Sequence, residues 1–409
     1  MWFILLVSCF SSKKISNKNL SFLYEHGFDE TSPQYKIYHY HKDSSKLFIR
    51  IFRENLEFDY NDNSELAARV RFEGFLYSDV ESGQYVDSFS LRKYLVKNEN
   101  KGYYDLSVAF KCRTPEKHIL EIIYTDFLKH KVIKNYLHID RSSDHTRQNF
   151  LLKDGNTGAP FFTPYLTKND RIIIEYNNKD STRLFFKYYR NEFRPAIPVF
   201  MDLKLKSLQF NPVDIYTSPT DSSISFNKEG IYHIQTDTSQ AHGLTLYCFH
   251  EDYPRITRPD HLAQTLRYIT KNKEYNIINK AGDQKAEIDN FWLSRAGSRE
   301  RAKILIKEYY LRIQDANKFF ISYKEGWKTD RGIVYVIYGA PHTIYKGLDH
   351  EEWIYEPLLN EPSLSFKFLY NQNRFTNNNY LLHRSYIYED SWNIEVHRWR
   401  HGRLTELKD

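Results

Sequence analysis

The sequence predicts a multidomain β plus α+β protein. Two consecutive antiparallel β-sandwich (Ig-like) domains are followed by a C-terminal α+β domain, with helices on a small antiparallel sheet. Three observations predict this. Over residues 35–140, and again over 146–253, apolar and polar residues alternate in short runs split by polar turns, the period of half-buried strands. From residue 251 the apolar spacing lengthens to three and four, the period of a helix face. After Gly326 the strand-like runs return. The expected boundaries are 1–9 for a signal peptide, 10–33 for a flexible tether, 34–142 and 143–255 for the sandwiches, and 256–409 for the helical segment plus the α+β domain. A chain of 409 residues has room for that many cores.

The chain opens "MWFILLVSCFSSKK". Its apolar run, residues 2–7, is too short to span a bilayer. It reads as the end of a signal-peptide apolar region. Leu6, Val7, Ser8 and Cys9 resemble a bacterial lipobox, which implies lipidation of Cys9 and a membrane partner reached through that lipid. No Lys or Arg precedes Cys9, a departure from signal-peptide form. Phe10 replaces the Asp that holds lipoproteins at an inner membrane, and no acidic cluster follows. The expected address is therefore the outer membrane, facing the periplasm. The polar "FSSKKISNKN" would be the tether.

In the first sandwich, "KIYHYH" and "KLFIRIF" alternate, and "ARVRFEGFLY" sets Val70 and Phe72 against Arg69, Arg71 and Glu73. "DLSVAFKC" and "ILEIIY" behave alike. The second block contains "DRIIIEY", "TRLFFKYY", "SISFNKEGIYHIQT" and "GLTLYCF", with the Pro-rich "RNEFRPAIPVF" as a connection. Helices follow. Asp260 is a candidate N-cap, Asp283 starts "DQKAEIDNFWLSRAG" up to Gly297, and Ser298 starts the longest helix. That helix carries one stripe, Ala302, Leu305, Ile306, Tyr309, Ile313, Ala316 and Phe320, and is expected to stop near Tyr323. "GIVYVIYG", "EEWIYEP", "LSFKFLY" and "WNIEVHRW" read as strands.

The most patterned stretch is "GWKTDRGIVYVIYGAP", residues 326–341. Together with Phe291-Trp292, "RIQDANKFF" and "EEWIYE", it resembles the GWxTD-domain proteins of Bacteroidetes-type bacterial envelopes. The likeness runs over residues 290–368. Gly326, Trp327, Thr329 and Asp330 stand at the name-giving positions. Arg331, Gly332, Tyr335, Tyr338, Gly339 and Pro341 follow in register, and Arg312, Ala316, Asn317 and Phe319 match upstream. His342 departs from the acidic residue expected after the proline. The family implies a fold and an envelope address but no reaction.

Physical reading gives each motif residue a structural task. Gly326 would free the backbone after a helix, and Trp327 would plug a helix-sheet corner. Thr329 and Asp330 would accept N–H bonds in a turn, Arg331 would pair with a carboxylate or with a helix C-terminus, and Gly332 would supply a permissive φ. The strand 333–338, apolar on both faces, would be central and buried. The rival reading places Asp330 and Arg331 in a cleft holding a polar ligand, with Asp330 as a hydrolytic group at the extreme. The possible binding set is Gly326, Trp327, Thr329, Asp330, Arg331, Gly332, Tyr338, Gly339, Pro341 and Trp353.

Other chemistry finds little footing. A net charge of +6 without a basic block lacks the footprint of nucleic-acid binding. Cys9, Cys112 and Cys248 are too few for a disulfide framework. Cys112 and Cys248 could pair in an oxidising compartment or stand as separate buried thiols. His39 and His41 share a strand face but lack a third ligand, so they read as solvated rather than metal-binding. "HEE" at 350–352 lacks the second histidine of a zinc-protease helix. No cofactor, no metal and no catalytic residue are expected. The functional expectation is a non-catalytic envelope scaffold or adaptor with a protein partner. The alternatives are a glycan- or peptidoglycan-binding module, since exposed rings among 33 Tyr and 28 Phe could stack on sugars, and an accessory factor in outer-membrane assembly or secretion. The last rests on "VIYGAP…EEWIYE…LSFKF", which is similar to small assembly lipoproteins.

Overall fold

The computed structural model describes residues 19–78, 84–113, 116–177, 183–190, 193–202, 210–347, 349–356 and 363–403. The expected signal segment, Cys9 and residues 10–18 of the expected tether lie outside the described residues. The rest of the expected tether, from residue 19, is not free. Leu20 and Tyr24 are buried, and the Leu20 N–H donates to Ile344 O at 3.0 Å. A short helix α1 (Phe28–Thr31) completes this segment. Apolar side chains made it part of a core, which a polar linker composition would not have done.

The first unit comprises β1 (Gln34–His41), β2 (Ser44–Phe52), β3 (Asp59–Tyr60), β4 (Leu66–Tyr77), β5 (Tyr85–Val96), β6 (Tyr103–Lys111), β7 (Lys117–Asp126) and β8 (Lys131–Asp140). One sheet runs β1-β2-β6; the other runs β3-β4-β7-β8, with β5 also on β4. All pairs are antiparallel. The alternation read in β4 is real: Val70, Phe72 and Leu76 point into a core shared with Leu47, Ile49 and Ile51 of β2. Arg71 and Glu73 pair at 3.1 Å on the other face. Each such buried side chain contributes about 1.5–3 kcal/mol relative to exposure.

The second unit holds β9 (Phe150–Asp154), β10 (Tyr165–Leu166), β11 (Arg171–Tyr176), β12 (Arg183–Arg190), β13 (Asp214–Pro219), β14 (Ser223–Ser225), β15 (Gly230–Gln235) and β16 (Leu244–Cys248). Its sheets run β10-β16-β15-β12-β13 and β14-β11-β9 around one apolar cluster. The expectation of a purely antiparallel unit needs correction, because β10 lies parallel to β16. Strands β15 and β16 are buried along their whole length. Their outer side packs Ile231, Tyr247 and Phe249 with Ile321, Tyr323 and Phe375 of the C-terminal region. The Tyr247 hydroxyl donates to Phe375 O at 2.5 Å across that seam.

The C-terminal region is α+β. Helices α2 (Pro259–Thr265), α3 (Asn272–Lys280), α4 (Gln284–Ala296), α5 (Arg299–Phe319), α6 (Asp330–Tyr338) and α7 (Glu389–Arg400) pack with the antiparallel sheet of β17 (Thr343–Lys346), β18 (His350–Tyr355), β19 (Leu364–Tyr370) and β20 (Tyr380–Leu382). Asp283 and Ser298 cap α4 and α5 as read, and Gly297 ends α4 at φ 75. For α2 the cap position belongs to Arg258, with Pro259 at the first turn and Asp260 inside it. The predicted α5 stripe is buried except for Ile306, which is half-buried at its edge, and the helix stops at Phe319 rather than near Tyr323.

Two predicted strands are helices. "DRGIVYVIY" forms α6, with residues 330–337 all buried. Its β-branched run favours a strand by propensity, but tertiary burial overrides such preferences. Apolarity all round marks a core helix as much as a central strand. "WNIEVHRW" lies in α7, where Trp392 and Trp399, seven residues apart, are buried. The histidine reading also changes. His39 is buried, bonded to Ser45 Oγ at 2.9 Å and to Asp140 O at 3.1 Å, whereas His41 is exposed beyond a register shift in β1. Burial, then Arg141, hold His39 down to about 4. Cys112 and Cys248 are separate buried thiols.

Candidate functional site

The motif forms the joint between α5 and α6. Gly326, Trp327 and Lys328 make one 3-10 turn. Gly326 is required by contact rather than by torsion. A Cβ there would lie 1.8 Å from Ala316 O and 2.7 Å from Asn317 Cα, on the backbone of α5. Gly332 has the same role, since its Cβ would meet Gly326 O at 2.0 Å. The permissive φ expected at Gly332 is not needed inside a helix. Gly339 is the torsional glycine, at φ 85, closing α6 beside the Arg312 guanidinium. Pro341 follows, buried.

Thr329 is the N-cap of α6. Its Oγ1 accepts from Gly332 N at 3.0 Å and donates to Gly326 O at 2.7 Å. It thereby satisfies one of the orphan N–H groups of a helix start. Trp327 is buried edge-on to Tyr268, with ring centroids 6.2 Å apart, and its backbone N–H donates to Asn317 Oδ1 at 3.2 Å. It fills a corner between helices, not the expected corner between helix and strand. Tyr338 packs on Tyr355 and Phe366. Trp353 is buried against Tyr24, Phe320 and Phe368.

The adjacent Asp330 and Arg331 belong to two different ionic centres. Asp330 accepts from Leu382 N at 2.8 Å and from Arg384 Nη2 at 2.6 Å. Arg384 also donates to Ile197 O at 2.9 Å and Pro198 O at 2.7 Å, while Ala196 N donates to Lys328 O. The motif therefore clamps the Pro-rich connection leaving the second unit. Beside this pair burial pushes Lys324 down to about 8, with Asp330 opposing and Lys328 and Arg384 reinforcing the shift.

Arg331 faces the sheet. Its Nη1 donates to Glu351 Oε1 at 3.0 Å, its Nη2 to Asn378 O at 3.1 Å, and its guanidinium lies 4.2 Å from the Tyr380 ring centroid. Glu351 also accepts from Tyr24 at 3.1 Å and from Trp353 Nε1 at 3.1 Å, and pairs with Lys346 at 3.2 Å. Burial alone would raise the Glu351 carboxyl, but Lys346 and Arg331 hold it down to about 2. Burial would lower Lys346, yet Glu351 and Tyr24 keep it above its ordinary value. This is a satisfied buried network, the condition under which buried charges are tolerated.

The cleft reading thus meets a different geometry: Asp330 and Arg331 are buried and point to separate internal partners. The motif reading missed Glu351, Lys346, Arg384 and Tyr24. Glu351 was in view only within "HEE" and "EEWIYE", without a role of its own, and nothing in one sequence ties Tyr24 to residue 351. Among the described residues no group of three or more His, Cys, Asp or Glu could hold a metal. No helix among them is long and apolar enough to cross a membrane.

Comparison with known proteins agrees with the motif. The family model of the GWxTD domain matches residues 230–401, beginning at the first residue of β15. No curated protein matches the chain. With its motif turn, capped α6 and four-stranded sheet inside that span, the C-terminal part of the chain is a GWxTD domain.

Proposed function

We propose that this protein is a non-catalytic outer-membrane lipoprotein facing the periplasm, anchored through Cys9, and acting as a scaffold or adaptor for other envelope components. One observation carries the reading. The polar groups of the motif are consumed by internal partners: Thr329 by the helix start, Asp330 by Arg384 and Leu382, and Arg331 by Glu351 and Asn378. Groups held in this way maintain a shape. The clamp on residues 196–198, the seam at Phe375 and the strap of Leu20 and Tyr24 tie the units together, as a scaffold requires. In this reading the first two units, each with paired sheets over a common core, are Ig-like sandwich modules.

Exposed apolar side chains offer a contact face. Tyr386 is 75% exposed and Ile387 77%, with Ile394 one helix turn into α7 at 47%. Apolar surface of this kind marks interaction faces. The test is a photo-crosslinking residue at Ile387 in the native envelope, compared with one at exposed Lys101, alongside mass spectrometry of the mature N-terminus. A discrete adduct at 387 only, with an acylated Cys9, is expected. An unmodified N-terminus would refute the anchor. Identical labelling at both positions would refute the adaptor face.

A further inference from the structure

Where the three units meet, a polar cleft of about 250 Å³ opens. Its lining includes Lys117 from β7, Arg147 from the 3-10 turn before β9, His242 from the β15–β16 connection, and Gln372, Asn373 and Arg374 from the β19–β20 connection. Residues from distant parts of the chain converge here only because the units dock.

The charge is unbalanced. Lys117, Arg147 and Arg374 line the cleft with a single carboxylate, Asp140, among the described residues. Asp140 is itself engaged by Ser142, at 3.0 Å from N and 2.6 Å from Oγ, and meets Lys117 only at 3.9 Å. The half-buried Arg147 side chain has no hydrogen bond or ion pair among the described residues, its carbonyl alone accepting from Phe150 N. Two neighbours register the positive field. Burial, then Arg147, push Lys36 down to about 7. Burial, then Lys187 and Arg374, push His233 down to about 4. His233 borders the cleft through Thr245, to which it bonds at 3.0 Å. An anion placed here would offset a cost the fold otherwise carries.

We propose that this cleft binds a sugar bearing a carboxylate or phosphate, with Arg147 and Arg374 holding the anionic group and the amides of Gln372 and Asn373 reading hydroxyls. Guanidinium forks match carboxylate and phosphate oxygens in pairs. The Gln372 amide can both donate and accept, as hydroxyls do, while Asn373, whose Oδ1 already accepts from Phe375 N at 2.8 Å, has its NH2 to donate. The volume suits a sugar ring, below the range of drug-sized pockets. An extended peptide would instead need apolar pockets for its alternate side chains. This site is independent of the adaptor reading.

The experiment is calorimetric titration of the full chain with galacturonate, glucose 6-phosphate, galactose, inorganic phosphate and tetra-aspartate. At least one acidic sugar is expected to bind, whichever of carboxylate or phosphate is preferred, with the other three at least about tenfold weaker. Arg374→Gln lies on an exposed side chain and should leave melting unchanged while lowering affinity by about tenfold or more, the size expected for a charged hydrogen bond. Arg147→Gln should do the same to affinity. Failure of both acidic sugars to bind would overturn the proposal. So would galactose, phosphate or tetra-aspartate binding as tightly as the acidic sugars, or an Arg374→Glu variant with unchanged affinity.

Discussion

Gly326→Ala is the most direct probe of the joint between α5 and α6. The added methyl would sit 1.8 Å from Ala316 O, 2.6 Å from Ala316 C and 2.7 Å from Asn317 Cα. All three atoms are backbone, so no side chain can swing aside. The turn must retreat by roughly 2 Å to reach ordinary contact distance. Overpacking of this kind costs about 1–3 kcal/mol. The retreat also stretches the buried bond from Trp327 N–H to Asn317 Oδ1, now 3.2 Å. Leaving such a group unsatisfied costs about another 1–3 kcal/mol. Against this, alanine restricts the unfolded chain and returns about 0.4–1 kcal/mol. The net is a loss of about 1–6 kcal/mol, which lowers the melting midpoint by roughly 2–4 °C per kcal/mol for a region of this size. Tryptophan fluorescence is the suitable assay, because Trp292, Trp327, Trp353, Trp392 and Trp399, five of the six, lie in the C-terminal region. Gly102→Ala and Gly282→Ala serve as controls, since a Cβ at either meets nothing within 4 Å. If Gly326→Ala melts with those controls, the close-contact reasoning is wrong.

Trp327→Ala should cost about 3–5 kcal/mol, read from the same transition in the full chain. Asp330→Ala should cost about 3–5 kcal/mol, because it strands Arg384 as a buried unpaired charge; Asp330→Ala with Arg384→Met should recover part of that loss in a double-mutant cycle, and strict additivity would deny the pairing. Glu351 gives a pH test. Its folded carboxyl is held to about 2, below the ordinary value of about 4.3. Its contribution is therefore complete above pH ~4.5 and is lost as pH falls toward 2, on the order of 3 kcal/mol in all. Glu351→Gln should be less stable than wild type at neutral pH, with the gap closing over that acid window; a gap that stays constant with pH would contradict the network.

Legibility differed from element to element. In β4, alternation identified both strand and buried face, because half-buried strands leave a period-two record. In α5, Ser298 and the seven-residue apolar repeat did the same for a helix. The record failed at 333–338 and at α7. A segment buried on every side has no polar face to reveal its period, so Ile, Val and Tyr at 333–337 pointed to the wrong structure. In α7, polar residues between Trp392 and Trp399 imitated strand alternation over too short a window.

Residue pattern alone identified the GWxTD domain, through Gly326, Trp327, Thr329 and Asp330, the order of β-rich and α+β parts, and the caps at Asp283 and Ser298. These are local properties, written in composition and spacing. Tertiary structure alone decided that Asp330 and Arg331, neighbours in the chain, serve different ionic centres. It also decided that Tyr24 reaches Glu351, that Arg384 clamps Ile197 and Pro198, and that Lys117, Arg147 and Arg374 share one cleft. The physical reason is distance along the chain. Partners 54 or 327 residues apart are chosen by how whole units pack, and no local pattern in one sequence encodes that choice.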